Sequence, residues 1–138
     1  MASKQTVSPK TVAVQPNLNS KLQQYKKNNL TILKLQKQVK QQAAIVKVRI
    51  ERQKNKLTKN NAIQVKALLQ KISSNNANLV ALEKRLVQYN NSLKIAKARN
   101  KKADHLTALS KILATQKEKI TVLNNTLACI NKLNKFAK

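Results

Sequence analysis

Glycine and tryptophan are absent from this 138-residue chain, and Pro9 and Pro16 are its only prolines. Tyr25, Tyr89 and Phe136 are the only aromatics, too few for a stacking platform or an aromatic-rich core. One histidine, one cysteine and four scattered acids cannot build a triad, a metal cage or a carboxylate pair. No enzyme, metal site or cofactor is therefore expected. Cys129 stands alone, which excludes an internal disulfide and reads as a small helix residue. No stretch approaches the ~20 apolar residues of a membrane span. The opening segment MASKQTVSPKTVAVQ also lacks the apolar core of a signal peptide. The expectation is neither secreted nor transmembrane.

What is present is charge of one sign. Lys and Arg number 29 against 4 Asp and Glu, a formal net charge of +25. Hydrophobic residues still make up 41%, enough to place the chain outside the apolar-poor disordered class.

Pro9 and Pro16 set off an expected extended arm, residues 1–16, because proline fixes its own backbone and disfavours helix before it. From Asn17 to Lys138 nothing obligatorily breaks a helix, and the composition favours one. The apolar period confirms the type. Steps of four and three from Leu18 give Leu22, Tyr25, Asn29, Ile32, Gln36, Val39, Ala43, Val46, Ile50, Gln53 and Leu57. Such a run is a coiled-coil-like seam. A shifted frame continues through Ala62, Val65, Leu69 and Ile72. A second run holds Leu79, Leu82, Leu86, Tyr89, Leu93, Ala96, Asn100 and Ala103. After a one-residue slip come Leu106, Leu109, Leu113, Gln116, Ile120, Leu123, Leu127, Ile130, Asn134 and Ala137.

The frame breaks at three polar clusters: Thr58–Asn61, Ser73–Asn78 and Arg99–His105. Without glycine, asparagine is the residue that best tolerates left-handed backbone, so these clusters are the candidate turns. Ser73–Asn78 is the richest in turn formers and N-caps, and divides the chain almost equally. The expected fold is all-α: a long helical hairpin over 17–138 turning at 73–78. A three-helix arrangement with a further turn near 99–105, where Asp104 could cap, is the alternative. Asn29, Gln36 and Gln53 interrupt the seam, either fixing register as buried polar residues do or facing a wet edge.

Flanking charges bear on pairing. Lys21, Lys26, Lys40, Lys47, Arg49, Lys54 and Lys56 flank the first seam with no acid among them, so that helix repels its own copy. The second half has Glu83, Asp104 and neutral flanks, which favours pairing within the chain; self-association stays open. The only near-neighbour ion pairing in the sequence centres on Lys47, Glu51 and Lys54.

A surplus of this size destabilises the compact state unless a polyanion or an acidic protein surface relieves it. Lys outnumbers Arg 25 to 4, which favours phosphate contact over base readout. No zinc-finger spacing, KH-type GxxG or RRM aromatic motif occurs. The candidate polyanion contacts are Lys40, Lys47 and Lys54, spaced by whole heptads, and the run Lys97, Arg99, Lys101 and Lys102. A membrane surface is disfavoured, since basic amphipathic helices that bind lipid use interfacial Trp or Phe. Lys and Asn together fill 42 of 138 positions, the bias of an AT-rich genome such as those of large DNA viruses and some phages, bacteria and protists. The expected role is a non-enzymatic structural component of a large assembly, a virion in the first instance. Its partners would be other subunits of that assembly and either nucleic acid or acidic protein surfaces. The alternatives are a histone-like or ribosome-associated nucleic-acid binder, and a cytoskeletal or adaptor coiled coil with an acidic helical partner. Either would reside in cytoplasm or nucleus.

Overall fold

The computed structural model describes residues 9–136, with side chains from Leu18 onward. Three α-helices follow one another: α1 (Pro9–Gln53), α2 (Lys59–Ala98) and α3 (Lys102–Phe136), with no strand among the described residues. At 1.5 Å per residue they are about 68, 60 and 53 Å long.

Helix α3 is the spine. Both α1 and α2 pack along it, while α1 and α2 make little direct contact with each other. Cross-helix hydrogen bonds give the directions. Asn28 meets Gln116 and Arg49 meets Asn134, so α1 runs parallel to α3. Glu83 meets Lys119 and Asn75 meets Thr126, so α2 runs antiparallel.

The seam of α1 is where the period places it. Ile32 and Val46 are buried, Leu18, Leu22, Val39 and Ile50 are half-buried, and Leu57, in the turn beyond α1, is half-buried too. In α2, Leu82 and Leu93 are buried, with Leu79 and Leu86 half-buried. In α3, Leu109, Leu123 and Ile130 are fully enclosed and Leu106, Leu113, Ile120 and Leu127 are half-buried. Ala108, Ile112, Cys129 and Leu133 are buried as well. A helix packed on two neighbours needs two apolar stripes, and α3 carries both. The core gathers at the two ends of the bundle. Val46, Val65, Ile130 and Leu133 form one cluster; Leu93, Ala108, Leu109 and Ile112 form the other, with Tyr25 and Tyr89 packed against it.

The expected reversal at 73–78 does not occur; these residues lie inside α2. The seam explains why. Val65, Leu68, Ile72, Asn75, Leu79, Leu82, Leu86, Tyr89, Leu93 and Ala96 keep the three-four spacing without a slip. Asn75 occupies a seam position, and its Nδ2 donates to Thr126 Oγ1 at 3.2 Å. Ser73, Ser74, Asn76 and Asn78 are exposed, where each costs only a few tenths of a kcal/mol of helix propensity. Leu69, placed in the seam by the shifted frame, is exposed instead and Leu68 turns inward.

The fold is therefore the three-helix arrangement, with its first turn at Gln53–Thr58. A single 3-10 turn (Lys54–Lys56) ends α1 and Leu57 is extended. Thr58 then caps α2, its side chain accepting from the Asn61 backbone N–H at 3.1 Å. The second turn falls where the Arg99–His105 cluster placed it. Asn100 takes positive φ (54°), Lys101 N–H reaches the Ala96 carbonyl at 3.0 Å and Asn100 N–H the Lys97 carbonyl at 3.2 Å. That is a Schellman motif with asparagine in the position glycine usually holds. Asn100→Ala is expected to lower stability by about 1 kcal/mol and Asn100→Gly to leave it unchanged or raised, read from urea unfolding midpoints. Asp104 is not the cap. It sits in the first turn of α3, where its charge favours the helix dipole.

The extended arm is also revised in part. Residues 9–16 are helical, with Pro9 at the first position, where a missing N–H costs nothing, and Pro16 inside α1 at the loss of one backbone bond. Residues 1–8, and Ala137 of the last seam, lie outside the described residues.

Candidate functional site

Between the two apolar clusters lies a polar layer. Gln116 of α3 is almost completely buried, at 1% exposure. Its Nε2 donates to Asn29 Oδ1 at 2.9 Å and to the Tyr25 carbonyl at 3.3 Å. Its Oε1 accepts from Asn28 Nδ2 at 3.1 Å, and Asn28 Oδ1 in turn accepts from Gln24 Nε2 at 2.8 Å. The layer thus ties one level of α1 to one level of α3. Asn29 fixes register as a seam polar residue can, whereas Gln36 is exposed and Gln53 half-buried. Gln116→Leu strands the Asn28 and Asn29 amides and is expected to cost about 1–3 kcal/mol. Adding Asn28→Leu should recover much of the loss, because both members of that pair are then apolar. Thermal melts of the single and double variants measure the difference.

Beside this layer, Lys119 of α3 is buried and donates through Nζ to Glu83 Oε2 of α2. A groove of about 510 Å³ opens above it, between α1 and α2. Gln116 and Lys119 lie in its floor; Ile32, Leu33, Leu79 and Val80 line its sides. Leu33 and Val80, one on each bank, are 63% and 58% exposed.

The expected polyanion contacts are exposed but fall into two groups. Lys40 and Lys47 share one face of α1, and Lys54 follows in the 3-10 turn beyond its last residue. Lys97, Arg99, Lys101 and Lys102 surround the other turn, at the opposite end of α2, about 60 Å from Lys54. The fold does not bring the groups together. Lys54 and the second group lie at opposite ends of a rod, with Lys40 and Lys47 along α1 between them.

Acids do little to offset them. Two ion pairs form among the described residues: Glu83 with Lys119, and an exposed contact of 3.9 Å between Arg85 and Glu118. The pairing anticipated around Glu51 does not form, as suits an exposed pair whose attraction is screened by water. Lys111 lies 5.8 Å from the Tyr89 ring centroid, a cation–π contact that covers the core edge. His105 is half-buried, with Nε2 unpartnered. Burial first, and the Lys97 charge second, hold its pKa below the ordinary histidine value. Cys129 is buried in the core face of α3.

Asn28, Lys119 and Asn75 escape the sequence reading. Asn28 is next to a seam position rather than on it, and lysine and asparagine are ordinarily surface residues. No described helix is long and apolar enough to cross a membrane. Neither a protein-family model nor a curated protein nor a solved structure matches this chain.

Proposed function

We propose that this chain is a non-enzymatic structural component of a large assembly, a virion in the first instance. It acts as a basic helical strut that holds nucleic acid by its phosphates. The observation that carries this reading is the one-signed surface. The chain carries a charge of +25, and among the described residues of its three-helix rod only Lys119 and Arg85 have a carboxylate partner.

Physical chemistry supports the assignment in three ways. Unpaired lysines repel one another and are relieved by a polyanion. Lysine is a compact point charge suited to phosphate, and the chain has few of the bidentate arginines that read bases. Rod geometry with a basic group at each turn allows one molecule to bridge two segments of nucleic acid. The role asks for rigidity and charge, which long helices with a pinned register supply.

Co-isolation tests it. The protein should purify with nucleic acid at low salt and be released by nuclease. Purification free of nucleic acid at low salt, with no retention on a phosphate polymer, would refute the proposal.

A further inference from the structure

We infer that the open groove between α1 and α2 is the seat of an acidic amphipathic helix supplied by a partner protein. The inference rests on the strut reading, since it supplies the protein contact by which a strut is held in an assembly. Its apolar anchors, Leu33 and Val80, are not among the residues that would hold nucleic acid.

The first observation is geometric. Two helices packed on a common third, with little contact between them, leave a furrow parallel to all three axes. A fourth helix completes such an array by placing one apolar stripe into the furrow, as in helix-in-groove recognition. The groove has the required walls, with Ile32 and Leu33 on one side and Leu79 and Val80 on the other. Leu33 and Val80 are more than half exposed on facing banks, so their burial awaits an occupant.

The second observation is charge, which selects the occupant. Lys26, Lys37 and Lys40 are seven, four and seven residues from Leu33, and so share its face of α1. Lys84 is four residues from Val80 on α2. All four lysines are exposed, and none has a carboxylate within ion-pair distance. The acid of the groove, Glu83, is already held by Lys119. A rim of this sign around apolar walls matches a helix with leucine-like anchors flanked by Asp or Glu. A second copy of this chain would bring +25 against +25 and is disfavoured. Nucleic acid would have no use for the apolar banks.

The test uses the full chain and two synthetic peptides of about four heptads, with Leu at a and d and either Glu or Lys at e and g. Fluorescence anisotropy should show the Glu peptide binding at least about tenfold more tightly than the Lys peptide, a difference of about 1.4 kcal/mol. Leu33→Gln with Val80→Gln keeps good helix formers at exposed sites. That variant should weaken the Glu peptide by tenfold or more while leaving helix content and duplex DNA affinity unchanged. Lys26→Gln, Lys37→Gln and Lys40→Gln together keep the apolar walls and should narrow the preference between the peptides. Equal binding of the Glu peptide to the wild-type chain and the Leu33/Val80 variant would overturn the assignment. So would dimers of the wild-type chain, seen by sedimentation, that the variant loses. Loss of DNA binding with peptide binding intact would count against the nucleic-acid role and leave the groove assignment standing.

Discussion

Leu109→Ala combined with Ile130→Ala is expected to abolish the cooperative unfolding transition at low salt. Both side chains are fully enclosed, and they belong to different clusters, one at each end of α3. Each truncation should cost about 2–5 kcal/mol, from lost transfer energy and the cavity left behind. They are 21 residues apart on one helix, about 30 Å, so the costs should add. A total of about 4–10 kcal/mol is comparable with the net stability of an ordinary small domain, about 5–15 kcal/mol, and self-repulsion lowers that stability further here. The control is Leu30→Ala. Leu30 is 69% exposed, and its loss should stay within about 0.5 kcal/mol. Urea titration followed by circular dichroism distinguishes the two. A sharp transition retained by the double variant would show that α3 is not the spine of the fold.

Much of this architecture was legible in the order of residues. The heptad read from Leu18 to Leu57 predicts the inward face of α1, with Gln36 the one position of that run that is exposed. The rule that asparagine must replace glycine in turns identifies the cluster containing Asn100, the residue with positive φ. The same rule misplaces a turn at Ser73–Asn78, because local turn propensity is weak against a seam that continues on both sides. Ile72, Asn75 and Leu79 hold that seam, with Asn75 satisfied by Thr126. A polar residue in a heptad position cannot by itself announce whether it breaks a helix or finds a partner across the core. The second stripe of α3 stayed hidden for a related reason. Ala108, Ile112 and Leu133 are apolar residues off the chosen frame, and only the presence of two neighbours makes them core. The basic residues were legible as charge but not as a pattern in space. The placing of Lys54 and of the Lys97–Lys102 group at opposite ends, with Lys40 and Lys47 between them, follows from turns at 54–58 and 99–101.

The most direct test of the strut reading is the slope of duplex DNA affinity against salt. Each phosphate neutralised releases condensed counterions, which gives a logarithmic slope of about −0.9 per contact. A rod with exposed lysines at both ends and along α1 should engage about 6–10 phosphates, losing about 10³–10⁵ in affinity between 50 and 200 mM salt. Lys40→Gln, Lys47→Gln and Lys54→Gln should remove about two to three contacts from the slope, equally for any DNA sequence. Changing Lys97, Arg99, Lys101 and Lys102 to Gln should lower it again, since that group contacts a separate stretch of backbone. Anisotropy titrations with two unrelated duplexes at several salt concentrations provide the measurement. The charge-based account predicts a steep slope, the same for both duplexes, that shallows with each set of lysine changes. A flat slope, or a steep one that neither set alters, would contradict it.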